Sequence, residues 1–116
     1  MASQCQVVIH ILESKFQKEV KKDVEDMLPG AIVIKNDPNY IQGIPDLLIL
    51  YKDRWAMLEV KDSEKAKHRP NQDYYVDLLG NMSFASFIYP ENKEAVLHEL
   101  YRALRAGWST RLPQRK

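Results

Sequence analysis

The sequence predicts an α/β domain in the order α-β-β-β-α-β-α, with a mixed four-stranded sheet flanked by helices. Three observations predict it. Residues 11–28 repeat apolar side chains at three- and four-residue steps, as a helix with one buried face does. Residues 43–61, "GIPDLLILYKDRWAMLEVK", form two apolar runs joined by a charged turn. Residues 92–105 return to helical spacing after a proline. A chain of 116 residues suits one core and is too short for two. The expectation is a single domain with its core over residues 11–105 and a tail over 106–116.

In the first helix, Lys15, Lys18, Lys21, Lys22 and Glu25 fall on one side, and Leu12, Phe16, Val20, Val24, Met27 and Leu28 on the other. Pro29 and Gly30 end it. Two start signals compete, because Ser3 with Gln6 and Ser14 with Gln17 both fit a capping box. The intervening "VVIHI" is β-branched enough for a strand, but the longer helix is the reading taken here. "AIVIK" (31–35) is a short strand, and "NDPNYIQG" a polar loop. Residues 46–51 and 55–61 form a hairpin. "DSEKAKHRPNQ" is a charged loop, after which Asn71 caps a helix running to Leu79 and closed by Gly80. "SFASFIY" alternates like a strand. Pro90 leads into the last helix, with Val96, Leu97, Leu100, Tyr101 and Leu104 inward.

Composition narrows the function classes. The hydrophobic content of 45% is that of a globular protein, and a net charge of +1 gives no global basic field. Contacts to nucleic acid must come from local clusters, and "KDSEKAKHRPNQ" is the densest: Lys65, Lys67, His68 and Arg69 would hold phosphates. Lys35, Asn36 and Tyr40 are further candidates to line a groove. The single Cys5 excludes an internal disulfide and a cysteine zinc site, and suits a reducing cytoplasm. His10, His68 and His98 are too scattered for a histidine metal site. No signal-like start and no membrane-length apolar run occur, so a cytoplasmic protein away from membranes is expected. Trp108 lies in a tail with little core to join and marks a candidate subunit contact.

The hairpin carries one acid in each strand, Asp46 and Glu59. If it turns through Lys52 and Asp53, Tyr51 faces Arg54, and counting back sets Asp46 opposite Glu59. Lys61, two residues after Glu59, then shares their face. Two facing carboxylates repel, more so when partly buried. A positive group must lie between them, either the Lys61 ammonium or a hard divalent cation such as Mg²⁺. The helix adds a third acid. Glu13 falls near mid-stripe, flanked by Phe16, Val20 and Val24, whereas Glu19 and Asp23 lie at its margin. Both Glu13 and Glu19 remain open as the helical acid.

An early helical Glu, then Pro45 and Asp46 at a strand start, then Glu59, Val60 and Lys61 on the next strand resemble the PD-(D/E)xK nuclease superfamily, whose core is restriction-endonuclease-like. "GIPDLLIL…LEVK" followed by a helix carrying Gln72 looks most like its virus-type replication-repair (VRR-NUC) branch, related to phage Holliday-junction resolvases. "LESKFQKEV" is also similar to the opening helix of the phage T-odd junction-resolving endonucleases. The resemblance covers about residues 12–89. It implies Mg²⁺, replaceable by Mn²⁺, held by Asp46, Glu59, the Val60 carbonyl and Glu13. It implies catalysis through these acids and Lys61, which would orient the attacking water, and a Gln72 that supports the site or touches a DNA phosphate. The implied activity is DNA endonuclease action on branched or structured DNA in phage replication, recombination or repair, by a homodimer in the host cytoplasm. Flap, nicked or plain duplex DNA, and a catalytically silent DNA- or protein-binding module, are the alternatives.

Overall fold

A computed structural model describes residues 4–107 of the chain. Helix α1 (Gln4–Met27) precedes three antiparallel strands, β1 (Ile32–Lys35), β2 (Leu47–Tyr51) and β3 (Arg54–Val60). Helix α2 (Gln72–Met82) then crosses to β4 (Phe84–Ile88), which lies parallel to β3. A 3-10 turn (Pro90–Asn92), α3 (Lys93–Tyr101) and a wider π turn (Arg102–Gly107) complete the described chain. The sheet order is β1-β2-β3-β4, so the fold is the mixed four-stranded α/β arrangement with three α-helices. Among the described residues no helix is long and apolar enough to cross a membrane.

Strand alternation assigns the two sheet faces. Leu47, Ile49 and Tyr51 of β2 meet Ala56, Leu58 and Val60 of β3 on one face, and all six are buried. Phe16, Val20 and Val24 of α1, Leu28 just after it, and Val96, Leu100 and Leu104 close this face into one core. Residues spaced by four along α1 and on to Leu28 return to the same side, which is why Val20, Val24 and Leu28 reach 0% exposure. Each contributes about 1.5–3 kcal/mol through burial. Lys93 of α3 bonds Glu19 at 2.7 Å and Asp23 at 2.6 Å on α1, holding the two helices together at their wet edge.

The other face carries Leu48, Leu50, Trp55, Met57, Phe87 and, at one end, Asp46 and Glu59. Helix α2 covers only the β3–β4 half of it, as the hydrogen bonds of Gln72 to this face show.

Several expectations need correction. Leu12 is 51% exposed, with Val8 and Ile11 exposed beside it, because the packed core begins only at Phe16. Asn71 stands at the N-cap but in a left-handed conformation (φ 70°), and its side chain makes no capping bond. Helix α2 does not close at Gly80: it runs to Met82, with the Ser83 amide bonding the Leu79 carbonyl. The last helix is α-helical only to Tyr101 and then widens. Ser3, Trp108 and most of the tail lie outside the described residues.

Candidate active site

The hairpin turns through Lys52 and Asp53, with Tyr51 paired to Arg54 and Leu47 to Leu58. The next step sets Asp46 across from Glu59, just beyond the ladder. A hydrogen bond from the Val60 amide to Asp46 Oδ2, at 2.9 Å, fixes this closure. Asp46 is held from behind as well. Its carbonyl accepts the Asn36 amide at 2.8 Å, and the Asn36 side chain donates to the Pro45 carbonyl at 2.8 Å.

Glu59 and Lys61 share the face, both almost fully buried, with Glu59 Oε2 3.8 Å from Lys61 Nζ. Gln72, 8% exposed, links them. Its Nε2 donates to Glu59 Oε2 at 2.9 Å, and its Oε1 accepts Lys61 Nζ at 2.6 Å and the Arg69 amide at 2.8 Å. Lys61 Nζ donates also to the Lys67 carbonyl at 3.2 Å. The amide of Gln72 therefore has one order only, oxygen to the ammonium and nitrogen to the carboxylate.

The electrostatics are those of crowded acids. Burial first, and then the charge of Asp46, push the Glu59 carboxyl up to about 9, with Lys61 opposing. Asp46 acts first by its charge and then by side-chain hydrogen bonding, a contact that only a protonated Glu59 can make. Glu13 is raised too, by burial first, then by Asp46 and Asp62, against Lys61 and Arg69. Glu13 thus overlooks the site from α1, whereas Glu19 turns away to Lys93.

The donor set suits a hard cation. Three carboxylates repel one another, and one carries an orphaned buried oxygen that a cation would satisfy. Asp46 and Glu59 are the pair the fold brings face to face, with Val60 next after Glu59 in sequence and its amide bonded to Asp46, and Glu13 is the outlying third. As they stand, the acids are not gathered for chelation: among the described residues no three Asp, Glu, His or Cys groups cluster at metal-holding distance.

Of the candidate DNA contacts, Lys65, Lys67, His68 and Arg69 are exposed on the loop beside the site. His68 stacks on Phe87 with ring centroids 4.1 Å apart, and its Nδ1 lies 2.7 Å from Asp73 Oδ1. Gln72 is corrected from a phosphate contact to a support, because its polar atoms are spent inside the site. Lys35 is corrected as well. It pairs with Leu47 and so has the alternation of the α1 face, opposite to that of Asp46. Tyr40 is 84% exposed and lines, with Asn36, Asp37, Ile41 and Ile44, an open hollow of about 370 Å³.

Sequence reasoning missed Asn36 as the brace behind Asp46 and the Phe87–His68–Asp73 contact. The pairing of Phe87 with Glu59 depends on the β3–β4 register, which has no local signal. No protein-family profile, curated protein or solved structure matches the chain.

Proposed function

We propose that this chain is a Mg²⁺-dependent endodeoxyribonuclease of the PD-(D/E)xK type, with a restriction-endonuclease-like core of the VRR-NUC kind. The observation that carries the reading is the facing pair of half-buried Asp46 and buried Glu59, with an orphaned oxygen on Glu59 and with Lys61 on the same face. Folding alone gives no reason to place two acids there, since both the repulsion and the burial cost stability.

In this reading Asp46, Glu59 and the Val60 carbonyl hold the cation, with Glu13 directly or through water. The cation, when bound, supplies hydroxide near neutral pH and neutralises phosphate charge. Lys61, fixed by Gln72 and the Lys67 carbonyl, orients the water for attack on phosphorus. One P–O bond forms, one P–O bond to a sugar breaks, and the leaving oxygen takes its proton from solvent. Lys65, Lys67, His68 and Arg69 hold the flanking phosphates.

Branched DNA, a Holliday junction above all, is the substrate proposed, and flaps, nicks or plain duplex share the same chemistry. Substrate choice resides in groove shape and assembly rather than in the acids. Symmetric incision of a four-way junction needs two sites, hence a homodimer. The setting proposed is phage replication, recombination or repair in the host cytoplasm.

The test is cleavage of four-way, flap and linear DNA with Mg²⁺ or Mn²⁺. Wild type is expected to cut, and Asp46→Ala and Glu59→Ala to be silent. Undiminished cleavage by those variants would falsify the proposal. One observation favours a second reading, a silent binding module of the same fold: the acids are not preassembled for chelation. Calorimetry without divalent-ion binding, alongside DNA binding that persists in EDTA, would select it.

A further inference from the structure

Among the described residues no strand lies beside the outer edge of β1, and its Ile32 and Ile34 side chains are exposed. Strand β1 ends the sheet. Its inner groups are identified by the Asn36 amide, which bonds the Asp46 carbonyl of the neighbouring chain segment. Alternation then points the N–H and C=O of Ile34 and Ile32 toward β2, and those of Val33 and Lys35 outward. Ile32 and Ile34, 58% and 41% exposed, lie beside Leu50, 36% exposed, on the half of the face that α2 leaves bare. Proteins blunt such edges with prolines, bulges or inward charges, and residues 32–34 have none of these.

We propose that this edge pairs antiparallel with β1 of a second copy, in a register centred on Val33. The sequence around Val33 is its own complement. Val33 meets Val33 of the other copy, Ile32 meets Ile34, and Lys35 falls beside Ala31 rather than another lysine. The register also suits the backbone. The Val33 pair exchanges two hydrogen bonds about the two-fold axis, and each Lys35 amide reaches the Ala31 carbonyl opposite. The Ala31 amide itself is already bonded to the Leu28 carbonyl.

The occupant is a second copy because only a two-fold partner satisfies this palindromic register with the same residues on both sides. The apolar strip exposes on the order of 250 Å² per copy. That is well below the ~800 Å² per partner of a standard interface. The pair is therefore weak in isolation, with a Kd on the order of 10 µM.

The axis stands perpendicular to the sheet, so an eight-stranded sheet results with both Asp46–Glu59 clusters on one side. Strand spacing and rise place the two Asp46 residues about 25 Å apart. This names the surface of the homodimer that the nuclease reading calls for, but it rests on β1 alone.

The test is solution mass by light scattering from well below to well above that Kd, for wild type and Ile34→Lys. A register test accompanies it, in a Cys5→Ser background. Ile32 and Ile34 of opposite copies form a non-hydrogen-bonded pair, with Cα atoms about 4.5 Å apart. That lies within disulfide reach, whereas the same residue in the two copies is too distant. A mixture of Ile32→Cys and Ile34→Cys proteins is expected to oxidise to mixed disulfide-linked dimers, and either protein alone to form no covalent dimer. Wild-type mass should double with concentration, and Ile34→Lys should remain at monomer mass with an unchanged circular dichroism spectrum. A monomer at every concentration, a dimer indifferent to Ile34→Lys, or self-crosslinking by one cysteine variant overturns the pairing. A dimer that never cuts DNA counts against the nuclease reading only. Cleavage by a strict monomer counts against this pairing and against the homodimer, and leaves the metal chemistry of the nuclease reading standing.

Discussion

Asp46 faces Glu59 across the hairpin: the Val60 amide bonds Asp46 Oδ2 at 2.9 Å, while Glu59 Oε1 has no hydrogen-bond partner among the described residues. The fold keeps a proton on Glu59 that the unfolded chain releases, since burial and Asp46 push its carboxyl from 4.5 up to about 9. Between those values the native state binds more protons, so stability falls as pH rises. Glu59→Gln has no such proton to lose. Without divalent ions it is expected to melt above wild type at pH 8, by at least about 4 °C or roughly 1 kcal/mol. The two should converge near pH 4.5. A gap that stays constant with pH would refute the assignment.

The same proton reports on the cation. Mg²⁺ or Mn²⁺ bound by Asp46 and Glu59 must displace it, so binding near neutral pH should release close to one proton. Calorimetry in buffers of different ionisation enthalpy measures that number. Release should vanish in Glu59→Gln. Binding heat that does not vary with buffer would separate the cation from Glu59.

Gln72 gives a third test. With Gln72→Leu, Lys61 Nζ keeps the Lys67 carbonyl but loses its shortest partner, and Glu59 Oε2 loses its amide donor. Stranding buried groups costs about 1–3 kcal/mol in stability. Cleavage should fall by at least about tenfold, with DNA binding in Ca²⁺ unchanged, because Gln72 does not reach solvent. A variant with weakened DNA binding and intact turnover would return Gln72 to the phosphate role.

Much of the site was legible in the sequence because a tight hairpin is a local object. Charged Lys52 and Asp53 between two apolar runs set the turn, and strand period carried the parity to Asp46, Glu59 and Lys61. Glu13 was legible only in part: it stood amid the apolar stripe of α1, but Glu19 remained open until its bond to Lys93 turned it away. What escaped was tertiary. The sequence of Lys35 and Asn36 is one basic, polar step, and only pairing with β2 shows that Asn36 braces Pro45 while Lys35 turns to the other face. Asn71 has the chemistry of a cap, but its backbone is left-handed and lies close against the loop at Gly43.

Placement of the basic residues separates two kinds of lysine. Lys65, Lys67 and Arg69 are exposed on the loop beside the site, and alanine at any one should weaken binding to all DNA sequences alike. Each should reduce the slope of log affinity against log salt by about 0.9. Lys35→Ala, on the opposite alternation, should leave the slope unchanged. Equal loss at Lys35 would move the DNA to the β1 edge.

Gly43 and Asn71 hold the geometry from outside the chemistry. Gly43 has φ +93°, and a Cβ there would lie 2.6 Å from Asn71 Cβ, 2.7 Å from its carbonyl carbon and 2.9 Å from its carbonyl oxygen. Two of those atoms are backbone, so the contact cannot be relieved by a rotamer change. The segment at Asn71 must shift, and Gln72 is the next residue, so the displacement passes into the bonds to Lys61 and Glu59. Gly30 provides the control. It has the same φ of +93°, but a Cβ there meets nothing within 4 Å. Gly30→Ala thus carries the conformational cost alone, about 1 kcal/mol. Gly43→Ala carries that cost plus the clash, for a total of about 2–4 kcal/mol, and should also lose cleavage beyond what its folded fraction explains. Melting curves measure the first effect and activity per folded molecule the second. Equal destabilisation by the two substitutions would mean that the loop at Gly43 yields freely and does not set the position of Gln72.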